Sequence, residues 1–517
     1  MAAAALIRLR LTDVPLERDE GEYAYAGQLI LDGVPPYSLA FNMKFPGAYY
    51  AYAVLMAVFG ETVWGIRVGI LVVVATSTWL MFVVTRRLFD GRIGAIAAVI
   101  FATLTLDRWS MAFFGHATHF ILPPLLGGIS LLLRAADTGR MTTYVMAGAA
   151  FGAAVLMKQH AVFFLPLAAG LVLLRMHELS ARERAVRGAA LAAGAMLPVA
   201  AVLGVLAAQG VLDRFWFWTI RYSMEYVGEI KAGEGFELFR YGWALVTRST
   251  VWIWVAAGLG LAVLFGRRYA GSRRLIVLAW AASAGLAIVP GLYFRPHYFI
   301  LLFPVAAILA AVSIDRLAAL TGARAGAAAA GMALALISTY VAGERGYLFS
   351  MSGESVSRQV YDVNPFVESP RIAEYLRSQT TPQDRIAVMG SEPQIYFLAD
   401  RRSATGHIYT YPLMEPQPFA RQMQRDMIQE IESARPAFLV IVMVPGSWAA
   451  QPTSDDRILE WMERYARDCY IPEGVVEISA GGAAWRWGAD ARMRSPATPQ
   501  FVAIHRRTSA APCRAGG

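Results

Sequence analysis

Arg18-Asp19-Glu20-Gly21-Glu22-Tyr23 places three carboxylates within four positions, ahead of a chain that is otherwise one apolar segment after another. A chain rich in membrane-length apolar runs holds acids only where water, a metal or a substrate meets them. Asp19, Glu20 and Glu22 are therefore candidate reaction-centre residues, because a carboxylate held partly desolvated can take a proton from an attacking hydroxyl. The same spacing also suits a solvated turn or the charged first turn of a helix, so the run gains meaning only from its companions.

Those companions are basic. Lys44, in Asn42-Met43-Lys44-Phe45-Pro46-Gly47, is a point charge that can meet a phosphate or snorkel to an interface. His116 and His119 sit at i and i+3, so they can share a helical face. With Asp19 or Glu20, Glu20 being the first candidate, they are candidate metal ligands, the other reading being interfacial hydrogen bonding. Met157-Lys158-Gln159-His160 interrupts an apolar run with a charge that must face water or an anion. In Tyr293-Phe294-Arg295-Pro296-His297-Tyr298, Arg295 can grip a phosphate with His297 beside it, or the segment can form an aromatic belt. Arg67 lies near the outer end of an apolar run, where packing or pairing with one of the acids is as good a role as substrate contact.

The elements that must position these groups are membrane helices. Of 517 residues 56% are hydrophobic and only 16% charged, which excludes a single soluble globule. The net charge of +9 does not point to nucleic acid, since the arginines lie in short clusters between apolar runs. Ten runs are long enough, or nearly so, to cross about 30 Å of hydrocarbon: 63–85, 93–108, 117–133, 141–157, 160–174, 188–208, 249–266, 275–291, 298–314 and 325–342. Alternate connections carry Arg86, Arg87 and Arg92; Arg134 and Arg140; Arg175 to Arg187; Arg267 to Arg274; and Arg316 and Arg324. The positive-inside rule makes that set cytoplasmic and puts the acids, His116, Lys158 and Arg295 together outside.

Met1 to Arg10 is too short to span, so one N-terminal helix is expected to be missing ahead of the acids. Within 1–342, the first external loop, 12–62, holds two expected interfacial helices, Tyr23 to Leu31 and Phe45 to Phe59. From 343 to 517 the character changes to an external soluble α/β domain, with buried strands at 385–390 and 437–444 and helices at 366–379 and 418–434. An exported domain can pair its two cysteines, Cys469 and Cys513, but the Ala/Gly/Pro/Arg-rich end around Cys513 weighs against it.

The ordered series Asp19-Glu20-Gly21-Glu22-Tyr23, Gly33-Val-Pro-Pro-Tyr37, Lys44-Phe-Pro-Gly-Ala-Tyr-Tyr50, Phe59-Gly60, Arg67, Gly152-Ala-Ala-Val-Leu-Met-Lys158 and Arg295-Pro-His-Tyr-Phe-Ile-Leu-Leu-Phe-Pro304 resembles the C superfamily of membrane glycosyltransferases. The similar branch is the bacterial one akin to dolichyl-phosphate-mannose protein mannosyltransferases and the lipid A aminoarabinose transferase. The resemblance implies inverting transfer of a sugar from a polyprenyl-phosphate donor to a hydroxyl of a protein, lipid or glycan, on the outer face of the inner membrane. It implies Asp19 as general base and Glu20 beside it in the catalytic pair, positioning the acceptor or helping bind a metal, with Lys44, Lys158 and Arg295 on the departing phosphate. Glu22, His116, His119, His160 and His297 complete the expected substrate-binding set. A divalent metal is compatible with this set, and no nucleotide cofactor is implied.

There are departures from the family pattern. His116 and His119 stand where the family often has an acid, and Lys44-Phe45-Pro46 replaces Lys-Pro-Pro. The alternative is a transporter or flippase of an anionic lipid-linked sugar, which calls for midplane charges and related halves. A third reading is a silent assembly subunit that binds partners through its tail.

Overall fold

The computed structural model describes residues 2–175, 179–479 and 481–508, and these are mostly helical. Cys513 lies outside them. The acidic run opens a helix because its flanks cap it. Glu17 accepts the Glu20 N–H at 2.8 Å, while the Glu20 side chain reaches back to the Glu17 N–H. After α1 (Ala2–Arg10), this gives α2 (Arg18–Leu31), followed by α3 (Gly47–Phe59), α4 (Val63–Leu88), α5 (Gly91–Leu104), α6 (Ala117–Thr138), α7 (Met141–Met157), α8 (Leu165–Arg175) and α9 (Ala181–Ala208).

Among the described residues, four helices are long and apolar enough to cross a membrane: α4, α6, α9 and the continuous 48-residue stretch Pro296–Gly343. Ala232–Thr247 and Val251–Leu264, bent by 106°, make a fifth if taken as one span. The expected ten do not form at full length. At about 1.5 Å per residue, α5, with 14 residues, and α7, with 17, fall short of about 30 Å of hydrocarbon. Two other expected spans, 298–314 and 325–342, merge across a 3₁₀ turn kinked at Gly322. The bundle packs closely where side chains are small. A Cβ on Gly152 would lie 2.1 Å from the Ala195 carbonyl oxygen, and one on Gly194 2.1 Å from that of Val145, so α7 and α9 meet backbone to backbone.

Residues 385–507 hold a six-stranded sheet in the order β2-β1-β3-β6-β4-β5. Its strands are β1 (Arg385–Met389), β2 (Arg402–Ser403), β3 (Phe438–Met443), β4 (Tyr470–Ser479), β5 (Gly482–Trp487) and β6 (Phe501–Arg507). β1 pairs in parallel with β2 and β3, with Ile386 opposite Phe438, and the β3–β6–β4–β5 side is antiparallel. The helices Ser369–Ser378 and Ala420–Ala434 flank the parallel half, close to their expected places.

α2 is not an interfacial helix lying free. Glu20 to Leu29 are all buried, with α3 on one side and the helix Gln394–Ala399 of the sheet region on the other. A Cβ on Gly21 would sit 2.6 Å from the Gln394 backbone nitrogen, so only glycine permits that approach. One apolar core runs from Tyr23, Tyr49 and Tyr52 into Ile386, Val388 and Val440 of the sheet.

Candidate active site

The first turn of α2 sends its acids in different directions, because consecutive helical residues are about 100° apart. Asp19 turns to a cavity of about 490 Å³ enclosed by the helical bundle, the segment 222–227 and the sheet region. Its Oδ1 accepts from Lys44 Nζ at 2.8 Å and from the Tyr409 hydroxyl at 3.1 Å. Oδ2 lies 3.4 Å from His116 Nδ1. Burial opposes the charge, but Lys44 and His116 outweigh it and hold the Asp19 carboxyl well below the usual carboxylate range.

Glu22 points the other way and does not line the cavity. It is fully buried, accepting from Lys44 at 2.5 Å and from the Tyr49 hydroxyl at 2.6 Å. Burial raises its pKa against the pull of Lys44. Lys44, wedged between Asp19 and Glu22 and 4.6 Å above the Tyr23 ring, keeps its charge: burial works against the ammonium, but the two carboxylates raise it well above its ordinary value. Lys44 lines the cavity, yet its hydrogen bonds go to acids.

Glu20 is not in the cavity. It is fully buried in a two-pronged pair with Arg67, and its Oε1 also accepts the Gly115 N–H at 2.6 Å. Arg67 further donates to the Val14 and Pro15 carbonyls at 3.0 and 3.2 Å. Helical direction is the reason: Glu20 falls on the face toward α4, so the expected catalytic or metal role finds no opening to substrate.

The histidines divide in the same way. His116 and His297, which the sequence keeps 181 positions apart, stack with centroids 4.1 Å apart beside Asp19. His119 turns away and bonds the Ala112 carbonyl through Nε2 at 2.8 Å. The expected metal set Glu20, His116 and His119 therefore does not assemble. Asp19, His116 and His297 do, with one ligand atom from each lying within 4.8 Å of the others. His116 Nε2 and His297 Nδ1 are buried without a hydrogen-bond partner, and His116 Nδ1 meets only the carboxylates of Asp19 at 3.4 Å and Glu17 at 3.8 Å, as ligand atoms for an ion or a polar substrate would.

Lys158, His160 and Arg295 also line the cavity. Lys158 caps the end of α7 with its Nζ 4.0 Å above the Tyr298 ring, and burial pushes the ammonium down to about 7. Arg295 follows Leu292 and Phe294, both in the left-handed region (φ 55° and 42°), a reversal that the chain adopts only under packing. No carboxylate lies within salt-bridge reach of either cation among the described residues, unlike Lys44. His160 bonds the Ala287 carbonyl at 2.6 Å and faces Tyr298.

Several lining residues were not read from the sequence. Glu17, the cap of α2, reaches within 3.8 Å of His116, and burial raises it to about 7. Tyr222, in a π-helical turn at Phe217–Tyr222, donates to Glu415, and Tyr409 and Tyr411 come from the sheet region. The local signal for Glu17 is its place three residues before Glu20, the spacing of a capping box, which points to a helix cap rather than to a cavity wall.

Residues 43–203 match the family of dolichyl-phosphate-mannose-protein mannosyltransferases. Over 159 residues the chain is 29% identical to the undecaprenyl phosphate-alpha-4-amino-4-deoxy-L-arabinose arabinosyl transferase of Pseudomonas aeruginosa, a match covering 29% of this chain and 29% of that protein. In three dimensions it resembles ArnT from Cupriavidus metallidurans bound to undecaprenyl phosphate, with a TM-score of 0.59 at 16% identity over 85% of this chain and 92% of the other. At that identity the likeness is one of fold, which the chain shares with this membrane-lipid-bound structure over most of its length. A second structure with this fold is the archaeal oligosaccharyltransferase AglB from Archaeoglobus fulgidus, in complex with an inhibitory peptide and a dolichol-phosphate: TM-score 0.53, 14% identity, 98% of this chain and 76% of that one.

Proposed function

We propose that the protein moves a sugar from a polyprenyl-phosphate donor to an acceptor hydroxyl, with inversion, on the outer face of the inner membrane. The observation that carries this reading is the division of charge in the cavity. A carboxylate held by Lys44 and two cations with no carboxylate in salt-bridge reach, Lys158 and Arg295, line the same cavity. The relatives named above are described as using or binding undecaprenyl or dolichol phosphate.

Asp19 receives the hydrogen bond of the acceptor hydroxyl through Oδ2, the oxygen that Lys44 and Tyr409 leave open. An anion so well stabilised is ionised throughout the neutral range but weakly basic, so it takes the proton late, as the attacking oxygen bonds to the anomeric carbon. The bond to the lipid phosphate oxygen breaks on the opposite face, and negative charge grows there in the transition state. Lys158 and Arg295 stabilise that charge, Arg295 with a planar fork and Lys158 as a point charge. Lys44 holds Asp19 and Glu22 in place rather than gripping the phosphate. A divalent ion held by Asp19, His116 and His297 would add positive charge beside the acceptor hydroxyl and make it easier to deprotonate.

The transporter alternative is not favoured, since the charged groups gather in one enclosed site and the fold is a transferase fold. The test is transfer of labelled sugar from the polyprenyl-phosphate donor in membranes holding wild type or Asp19→Asn. Loss of turnover by at least about a hundredfold, the scale of general acid–base catalysis, is expected. Equal turnover by both removes Asp19 from the mechanism.

A further inference from the structure

α2 presents Asp19 to the cavity on one face and is gripped by the sheet region along the other. The Arg18 guanidinium donates to the Ser391 carbonyl at 2.6 Å, to Asn364 at 2.9 Å and to the fully buried Glu392 at 3.0 Å. One turn on, Gly21 lies against Gln394, and the Tyr25 hydroxyl accepts the Ser403 N–H at 2.7 Å. Beyond the helix, the Phe41 N–H donates to the Gly406 carbonyl at 2.7 Å, and its ring packs on Trp218 and His407. These fixings carry the segment 404–415, which leaves β2, directly over the cavity.

Tyr409 is the residue of that segment that reaches the carboxylate. Its ring is buried and lies 5.5 Å from Lys44 Nζ, and its hydroxyl donates to Asp19 Oδ1 at 3.1 Å. We propose that Tyr409 is a positioning residue of the transfer reaction, so that the C-terminal region supplies a working part of the active site and not merely an outer surface. The proposal rests on Asp19 acting as the acceptor base.

The physical need is torsional. The carboxylate of an aspartate turns in a broad, shallow well about its last bond, and a salt bridge to a flexible lysine on one oxygen, with His116 Nδ1 at 3.4 Å from the other, restrains that rotation only loosely. A second donor on the same oxygen, delivered from a different part of the chain, fixes the plane and keeps Oδ2 aimed into the cavity. Misaimed by a fraction of an ångström, the base would meet the hydroxyl less often in a reactive pose. Such an interaction matters most during reaction and little to donor binding, which is assigned to Lys158 and Arg295.

The experiment compares full-length wild type, Tyr409→Phe, Tyr470→Phe and Asp19→Asn in the labelled-sugar assay. Phenylalanine keeps the ring over Lys44 and removes only the hydroxyl. Expected is a fall in kcat of about 10- to 100-fold, the worth of one hydrogen bond to a charged group. KM for the donor should stay within about twofold, the signature of an interaction made in the transition state. Tyr470 bonds the Pro436 carbonyl within the sheet region, away from the cavity, so Tyr470→Phe should keep wild-type kcat and report any general cost of losing a buried hydroxyl. Wild-type kcat in Tyr409→Phe, with Asp19→Asn inactive, overturns the positioning role while leaving the base intact. An equal fall in Tyr409→Phe and Tyr470→Phe also overturns it, as a stability effect. Full turnover by Asp19→Asn overturns both readings together.

Discussion

Arg67→Met separates a structural role for Glu20 from a chemical one. Glu20 follows Asp19 directly, yet each of its oxygens is occupied: Oε1 by Arg67 and the Gly115 N–H, Oε2 by Arg67 at 2.9 Å and the Glu17 N–H at 3.4 Å. Removing the arginine leaves a fully buried carboxylate with two backbone donors and no countercharge. Breaking a buried pair from one side costs about 3–5 kcal/mol, and the two surviving N–H groups place this site near about 3 kcal/mol. Glu20→Gln leaves Arg67 buried and uncompensated, at a similar cost. The double change Glu20→Gln/Arg67→Met removes both charges and should recover about 2–3 kcal/mol of the summed loss.

The assay is thermal unfolding of the detergent-purified protein followed by tryptophan fluorescence, with sugar transfer measured well below the transition. Both single variants should melt early, the double variant should melt later than the sum predicts, and all three should keep substantial kcat per folded molecule. Wild-type melting together with lost turnover in Glu20→Gln would refute the reasoning and return Glu20 to the chemistry.

Two further perturbations address the cavity walls. Lys158→Gln should raise KM for the polyprenyl-phosphate donor by about 10- to 100-fold, the worth of one charge-assisted contact. In the wild type the sign with pH follows from the lowered Lys158: the ammonium binds phosphate when protonated and loses its charge as pH rises through about 7, so donor KM should climb above neutrality. That climb should be absent in Lys158→Arg, whose guanidinium stays charged. Gly21→Ala should cost about 1–3 kcal/mol of overpacking, because its Cβ would press on the Gln394 backbone at 2.6 Å. Limited proteolysis should then release the sheet region sooner, and unchanged protection would count against tight docking of α2.

Much of this protein was legible without coordinates, and the boundary of legibility is physical. Hydrophobic runs and arginine clusters respond to local forces, so the helical membrane character could be read directly, while the helix expected from Tyr23 starts five residues earlier, at Arg18, because Glu17 and Glu20 cap it. β1 and β3 were equally plain, as short β-branched runs. β4 was not, since Pro472, Glu473 and Gly474 interrupt its apolar pattern, and β5, Gly482-Ala-Ala-Trp-Arg-Trp487, has weak strand character until its neighbours pair with it. Span lengths were only partly legible, because an apolar run does not say where its helix bends or stops.

In the site, the sequence determined which residue types were present: acids ahead of the first long span, and Lys44, His116, Lys158, Arg295 and His297 in the turns that follow. Only the tertiary structure decided their work. Helical direction sent Asp19 to the cavity and Glu20 to Arg67, one residue apart. Chain reversal at Leu292 to Phe294 set His297 against His116. Docking of the sheet region brought Tyr409 to Asp19 across 390 positions. No local pattern encodes such meetings, because they depend on the packing of distant surfaces, and that packing is settled by the whole fold at once.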